Sequence, residues 1–328
     1  MLRKTVKRIL ASRAFASIAR RSSIREIYFF VSPRFTPQVV AETGQLRYLV
    51  RTSDLSVSRE LFIRGGFDEQ VLPQLLRLLE QFGYDSIRSK AFVDIGANIG
   101  TSVISAARLF GFSRGIAFEP EPTNFKLIKI NALLNDVADR IAVHQLALSD
   151  HPGSLTFEIA PENSGDNRVR IAHGMGANTE ELLKESDRPT MQVEGTTIDA
   201  LVERGILRLD DIGLVWMDTQ GHEGHVLSGA RTLLARDVPI LFEYWPYALA
   251  RAGGLEKLES IITEHYTHFV DVRDQKEGQT PVPTPVDQLP SLRAKYQGTD
   301  LTDLLLVKRL NVDAPGQGGS GSPAVANA

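Results

Sequence analysis

Cysteine is absent from all 328 residues. That removes thiol nucleophiles, thiolate zinc sites and structural disulfides together. No apolar run approaches the ~20 residues of a membrane-spanning helix. An excess of positive charge is missing too. Lys and Arg number 37 against 40 Asp and Glu, for a net charge of −3, so general nucleic-acid affinity is not expected. No internal repeat is visible. What remains is an ordinary globular balance, 42% hydrophobic and 23% charged, which excludes a wholly disordered or collagenous chain. The length admits one large α/β domain or about two domains of ~150 residues.

Acid is also missing locally. The first 25 residues hold eight Lys or Arg and no Asp or Glu. Leu2, Val6, Ile9, Leu10 and Ile18 recur among these charges at helical spacing, as in a basic amphipathic helix. Arg13, Arg20 and Arg21 break the apolar stretch that a secretory signal needs. A helix of this kind can cover the catalytic domain, serve as an Arg-rich transit peptide, or make peripheral membrane contact. The expected location is cytoplasmic, membrane-associated if that contact is made. Residues 311–328 are mostly Gly, Ser, Pro and Ala and read as a disordered tail. The expected division is a basic helical extension over 1–66, a catalytic domain over 67–310 and the tail.

Between these ends, short apolar runs alternate with helical patterns, the signature of βαβ units and a parallel sheet. Helices are expected over 67–82, 101–110, 123–134, 198–204, 223–235 and 255–265. Core strands are expected over 91–95, 115–118, 141–146, 213–217, 239–242, 268–272 and 301–308. No helical crossover precedes the last run, so it is expected to lie antiparallel. Residues 154–159 and 191–197 alternate as a half-exposed hairpin, joined by a long polar stretch over 161–189.

The segment VDIGANIGTS joins a strand to a helix. Gly96 and Gly100 allow a sharp turn and close ligand approach, and the helix that follows offers free N–H groups. Glu119 ends the next strand, where an acid can accept hydrogen bonds from ribose hydroxyls. The dinucleotide fingerprint G-x-G-x-x-G is not met, because Asn98 stands at its second glycine. Asp94 adds negative charge beside the loop. A cationic amino-acid end suits this loop better than a pyrophosphate, so S-adenosylmethionine is favoured over a nicotinamide cofactor.

Together FVDIGANIGTS, AFEPEPTNFKLIKINALLN, LALSDHPG, ENSGDNR, TTIDAL and MDTQGHEGHVLSGA resemble the FkbM-type family of S-adenosylmethionine-dependent methyltransferases. The resemblance runs from about Phe92 to Val307. It implies a class I methyltransferase fold: a Rossmann-like three-layer α/β sandwich with a seven-stranded, mostly parallel sheet and an antiparallel last strand. It also implies methylation of a hydroxyl oxygen, often on a sugar or natural product. Carried onto this chain, Asp94, Gly96, Asn98, Gly100 and Thr101 would line the methionine end and Glu119 would hold the ribose. Pro120 and Asn124 would shape the adenosine pocket. Ala147, Leu148, Ser149 and Asp150 would close its adenine side.

A hydroxyl acceptor is a weak nucleophile, so a general base helps. Three candidates follow the fourth core strand in MDTQGHEGH: Asp218, His222 and Glu223. His222 has the more natural pKa for the task and Asp218 the more natural position at the carboxyl edge of the sheet. The competing readings are a helix N-cap for Asp218 and a capping or packing histidine for His222. HEGH lacks the spacing of a zinc protease site. Magnesium held by Asp218, Glu223 or Asp150 is compatible with these residues but not required by them. Glu243, Tyr244 and Trp245 end the fifth core strand and are expected to face the acceptor, with the rings stacking on a sugar. Asn163, Ser164, Asp166, Asn167 and Arg168 form a polar cluster that reads as a lid or as a solvated loop. The expected acceptor is a small molecule or a glycan. Two other classes stay open at this point: a nicotinamide-dependent oxidoreductase on a related fold, and a binding protein that has lost catalysis.

Overall fold

A computed structural model of the protein describes residues 22–66, 71–170, 181–274 and 282–310. The basic stretch before Ser22, part of the long polar segment and the Gly/Ser-rich tail lie outside the described residues.

The sheet grows from short apolar runs. Strand β3 (Ala91–Ile95, AFVDI) is buried at every position, as expected of a central parallel strand covered on both faces. It pairs in parallel with β4 (Arg114–Phe118) on one side and β10 (Ile212–Met217) on the other. β5 (Ile141–His144) extends the β4 side. On the β10 side follow β11 (Ile240–Tyr244), β14 (Thr302–Val307), β12 (His268–Asp271) and β13 (Thr284–Pro285). β14 is antiparallel to both of its neighbours, the reversed last strand expected. The two-residue β13 is an addition to the seven strands expected, and it stops at a proline that cannot donate to a ladder.

Alternation along these strands divides the core. Phe92, Ala117, Leu214, Leu241 and Leu305 face one layer, formed by α3 (Val71–Gln81), α4 (Thr101–Leu109) and α5 (Pro122–Leu134). Val93, Ile116, Val215, Phe242, Leu304 and Leu306 face the other. That layer is built from α6 (Ile198–Glu203), α7 (Glu223–Ser228), α8 (Arg231–Leu234), α9 (Pro246–Arg251) and α10 (Leu255–His265). The result is a three-layer α/β sandwich. The helix expected over 223–235 is two helices. Asp199 accepts from the backbone N–H groups of Arg231 and Thr232, which starts a new helix after Gly229.

A smaller sheet stands over one end of the large one. Its β7 (Gly153–Glu158) and β9 (Thr190–Thr196) are the expected antiparallel hairpin. The two-residue strands β6 (Ala147–Leu148) and β8 (Arg168–Val169) flank them.

The expected helical extension over 1–66 also holds strands. After α1 (Ser22–Val31), β1 (Gln38–Thr43) and β2 (Leu46–Arg51) form a hairpin, followed by α2 (Val57–Arg64). Ala41, Leu46, Tyr48 and Val50 join the core layer of α3 to α5. Asn131 of α5 and Asn135, which caps its C-terminus, secure the hairpin. Asn131 accepts from the Leu49 N–H at 2.7 Å and donates to the Ile99 carbonyl. Asn135 accepts from the Arg47 N–H and donates to the Arg47 carbonyl.

Asn131 is fully buried. Asn131→Ala strands a buried N–H and a buried C=O, and is expected to cost about 2–4 kcal/mol of unfolding free energy. Urea denaturation measures it; a loss below about 0.5 kcal/mol would show that the hairpin does not depend on this contact.

Candidate active site

The strand order places the cleft. The chain runs outward through β3, β4 and β5, then returns to β10 and β11 on the other side of β3. Open α/β sheets bind ligands at the carboxyl ends of strands where the order reverses in this way. Here those ends belong to β3 and β10, and they nearly touch. The Asp218 N–H donates to the Ile95 carbonyl at 2.9 Å. Gly96 has φ +84°, and a Cβ built on it would lie 1.9 Å from the Asp218 carbonyl oxygen. Only glycine fits there.

The cleft has two adjoining lobes that share Gly96, Asn98, Gly165 and Asp218. The larger, about 400 Å³, is lined by Asp94, Thr101, Asn163, Asp166, Trp216, Gln220, Glu243, Trp245, Arg273 and Asp303 among others. The narrower lobe is mostly apolar, walled by Phe118, Leu146, Ala147, Leu148, Phe157 and Val169, with Glu119, Pro120, Asn167 and His222 at its edges.

Backbone N–H groups hold the acids in place. Glu119 accepts from Asn98 and Glu121, both at 2.8 Å. Asp94 accepts from the Val103 N–H in the first turn of α4. Burial is the largest effect on both carboxyls. It pushes Asp94 up to about 7 and Glu119 up to about 8 against the opposing pull of those hydrogen bonds. Asp218 is likewise pushed up to about 7, and Glu243 well above its ordinary value. The Gln220 amide joins these two, donating to Asp218 at 2.7 Å and to Glu243 at 2.8 Å. Gln220 itself sits at φ 56°. Arg273 is the one cation among the described lining residues, and its Nε donates to Asp303 at 2.6 Å.

Other expected residues stand elsewhere. His222 is 1% exposed, in the narrow lobe, with its Nε2 2.9 Å from Ser149 Oγ and its ring stacked 4.6 Å from His225. Burial and the neighbouring His225 push it down to about 3. Imidazole in that state is a weak proton acceptor. Glu223 faces neither lobe. It accepts from the N–H and hydroxyl of Thr219 and so fixes the turn after Asp218. Asp150 lies outside the cleft lining, paired with His225, His151 and Lys257. Burial alone would raise its carboxyl, but these partners hold it below the usual range. The three carboxylates expected to serve magnesium therefore do not converge. Asn124 accepts from Arg51 of the hairpin, away from both lobes. Tyr244 points the other way from the cleft, its hydroxyl donating to Glu259, so it offers no ring to an acceptor. Trp245 does line the larger lobe; one of its faces carries the Arg168 guanidinium at 5.2 Å. The polar cluster is a fixed wall rather than a solvated loop. Ser164 donates to the buried Asp54, and Asp166 pairs with Arg168 and Arg188.

The chain matches the "Methyltransferase FkbM domain" over residues 94–277. It belongs to the FkbM methyltransferase family. Three relatives agree. The 2-O-methyltransferase NoeI of Sinorhizobium fredii is 26% identical over 52% of this chain and 67% of its own length. Methyltransferase sdnD of Sordaria araneosa is 27% identical over 42% and 59%, and the 31-O-demethyl-FK506 methyltransferase FkbM of Streptomyces tacrolimicus 29% identical over 42% and 57%. The match to the last two thus spans less than two thirds of their length. An O-methyltransferase structure from Bacillus cereus aligns over 74% of this chain and 82% of its own at 13% identity, with a TM-score of 0.38. The protein is a methyltransferase, and its strand order is the Rossmann-like one expected of a class I enzyme.

Several lining residues of this FkbM methyltransferase escape sequence reasoning. Ser56 and Val57 come from the N-terminal segment and leave no motif. Asp303 does leave one: an acid inside the otherwise apolar strand TDLLLV. Gln220 lies within MDTQGHEG, but only the fold reveals that it touches two acids.

A carboxyl whose folded pKa exceeds its unfolded value costs stability as pH rises between the two. For Asp94 that window runs from about 4 to about 7. Asp94→Asn is therefore expected to raise the melting temperature of the ligand-free protein at about pH 8, with a smaller gain at about pH 5. Scanning calorimetry at both values checks this; an equal or reversed difference would show that Asp94 is not held against its ionisation.

Proposed function

We propose that the protein transfers a methyl group from S-adenosylmethionine to a hydroxyl oxygen of a sugar-like or natural-product-like small molecule. The single observation that carries this reading is the position of Asp218. It lies at the corner common to both lobes, beside the glycine turn, with its proton affinity raised close to neutral pH. Two relatives, the 2-O-methyltransferase NoeI and the 31-O-demethyl-FK506 methyltransferase FkbM, support oxygen as the acceptor atom.

Bound S-adenosylmethionine would supply an electrophilic methyl carbon on a sulfonium centre. We assign its adenine to the narrow apolar lobe between Phe118, Leu148, Phe157 and Val169, and its ribose to Glu119. Its amino-acid end falls to Asp94, Gly96, Asn98 and Thr101. Two observations support the fit. The lobe beside Asp218 holds Asp94, Glu243 and Asp303 with Arg273 the one cation among its described lining residues, so a positive ligand is favoured as these acids give up their protons. Asn98 Oδ1 and His222 Nδ1 are buried without a hydrogen-bond partner, and both residues line the narrow lobe. Such atoms suit a ligand rich in O–H and N–H donors.

Asp218 takes the proton from the acceptor hydroxyl as the methyl group moves. Burial and their mutual repulsion push both Asp218 and Glu243 up, so the pair shares a proton near neutrality, and Asp218, at the corner common to both lobes, is the member placed to receive one from the acceptor. Gln220 orients both carboxyls. Asn163 and the part of Trp245 that lines the larger lobe hold the acceptor. His222 packs at the adenosine end, and Glu223 holds the turn.

A methyl-transfer screen of hydroxylated acceptors with isotopically labelled S-adenosylmethionine, read by mass spectrometry, tests the reaction; transfer to nitrogen or carbon alone would overturn the oxygen assignment. With an acceptor in hand, Asp218→Asn is expected to lower kcat by about 10²–10⁴ and to abolish the rise of kcat with pH near about 7. His222→Ala keeps that rise and acts mainly on cofactor affinity. The opposite pattern would return the base to His222. Calorimetry supplies a further check. As the acids ionise between about pH 6 and about pH 8, affinity for the sulfonium cofactor is expected to grow relative to its neutral demethylated product. A ratio that stays constant would remove the cleft's acids from cofactor recognition.

A further inference from the structure

The helix α1 reads SSIREIYFFV, and its apolar side is turned outward. Phe29 alone is fully buried, against the Phe62 ring of α2 at 5.6 Å. Ile24, Ile27, Tyr28 and Val31 follow the i, i+3, i+4, i+7 spacing of one helical face, and they are 40%, 62%, 53% and 42% exposed. Phe30 at 50% and Phe35 at 82% extend the patch. An amphipathic helix of a globular protein normally turns such a stripe to the core. Here Phe29 is buried, Tyr28 stacks half-exposed on the same Phe62 ring at 5.7 Å, and the acid of the helix, Glu26, is paired with Arg59, while Ile24, Ile27, Phe30 and Val31 stay exposed.

The same region is cationic. Eight Lys or Arg and no acid fall within residues 1–25, immediately before and into this helix. We propose that α1 and the basic stretch leading into it dock the enzyme on an anionic lipid leaflet, with the Ile24–Ile27–Tyr28–Val31 stripe and the Phe30 and Phe35 rings entering the interface. Apolar insertion and attraction to anionic headgroups act together on such a surface. A second copy of the chain fits less well, because it would add a like excess of cations from its own residues 1–25 without supplying anionic partners for them. Nucleic acid would meet the cations but leave the aliphatic stripe in water. Docking would also set the cleft near the lipid surface, since α2 packs on α1 and its Val57 lines the larger lobe.

Vesicle flotation of the full chain tests this with two lipid compositions, phosphatidylcholine alone and phosphatidylcholine with about one third phosphatidylserine. The chain is expected to float with the anionic vesicles, at least about tenfold better than with neutral ones, and to be released by about 1 M salt. The double variant Ile27→Ser, Val31→Ser should raise the lipid concentration for half-binding by about tenfold or more while its melting temperature and S-adenosylhomocysteine binding stay at wild-type values. Absence of flotation, or equal flotation of the variant, would overturn the proposal. So would wild-type dimerisation in sedimentation velocity that the variant abolishes, with no vesicle binding.

Discussion

The carbonyl of Asp218 rests against Gly96 with no room for a side chain between them. That contact is the meeting of two strand ends, β3 and β10, at the point where the sheet reverses its order. Everything functional is arranged around it. The turn after β3 carries Asn98, whose N–H reaches Glu119 on β4. The turn after β10 carries Gln220, which reaches Glu243 on β11. Two neighbouring strand ends thereby align four acids from four strands along one edge, and the cleft follows from that alignment.

The acids set an electrostatic problem that the ligand-free protein does not solve. Asp94, Glu119 and Glu243 are buried and Asp218 is half-buried, and desolvation raises all four. Structural ion pairs elsewhere in the chain are treated differently: Glu259 takes both the Tyr244 hydroxyl and the Arg293 guanidinium, and Asp150 takes two histidines and a lysine. Among the described residues lining the cleft, Arg273 is the one cation; it pairs with Asp303 and lowers Asp218 and Glu243 less than burial raises them. Buried carboxyls without counter-charge are expensive to ionise, and a cationic ligand relieves that expense. The stability given up at this edge and the cofactor preference proposed above would then be one property.

The FkbM methyltransferase fold was legible because its signals are local. Apolar runs such as AFVDI and TDLLLV mark strands whatever surrounds them, and Gly96 and Glu119 stand where a nucleotide-type turn needs them. The alternation in β7 and β9 identified the hairpin of the smaller sheet. The N-terminal hairpin was not legible. Its strands are short and amphipathic, and they owe their place to Asn131 and Asn135, more than 80 residues away. Roles within MDTQGHEGH were not legible either, since neighbouring residues in that turn point to three different environments.

The residues alone determined which elements form, that the last strand reverses, and that a glycine turn and an acid would meet at one edge. These depend on periodicity, turn chemistry and residue type, all of which act over a few positions. Tertiary structure alone decided that His222 is buried in the narrow lobe with Ser149, that Glu223 holds a turn, and that Tyr244 faces Glu259. It also brought Gln220, Asp303 and the N-terminal Val57 to the cleft. Direction and burial are set by what packs on each element, and that packing joins segments from a few residues apart, as Thr219 and Glu223, to more than a hundred apart, as Val57 and Gln220.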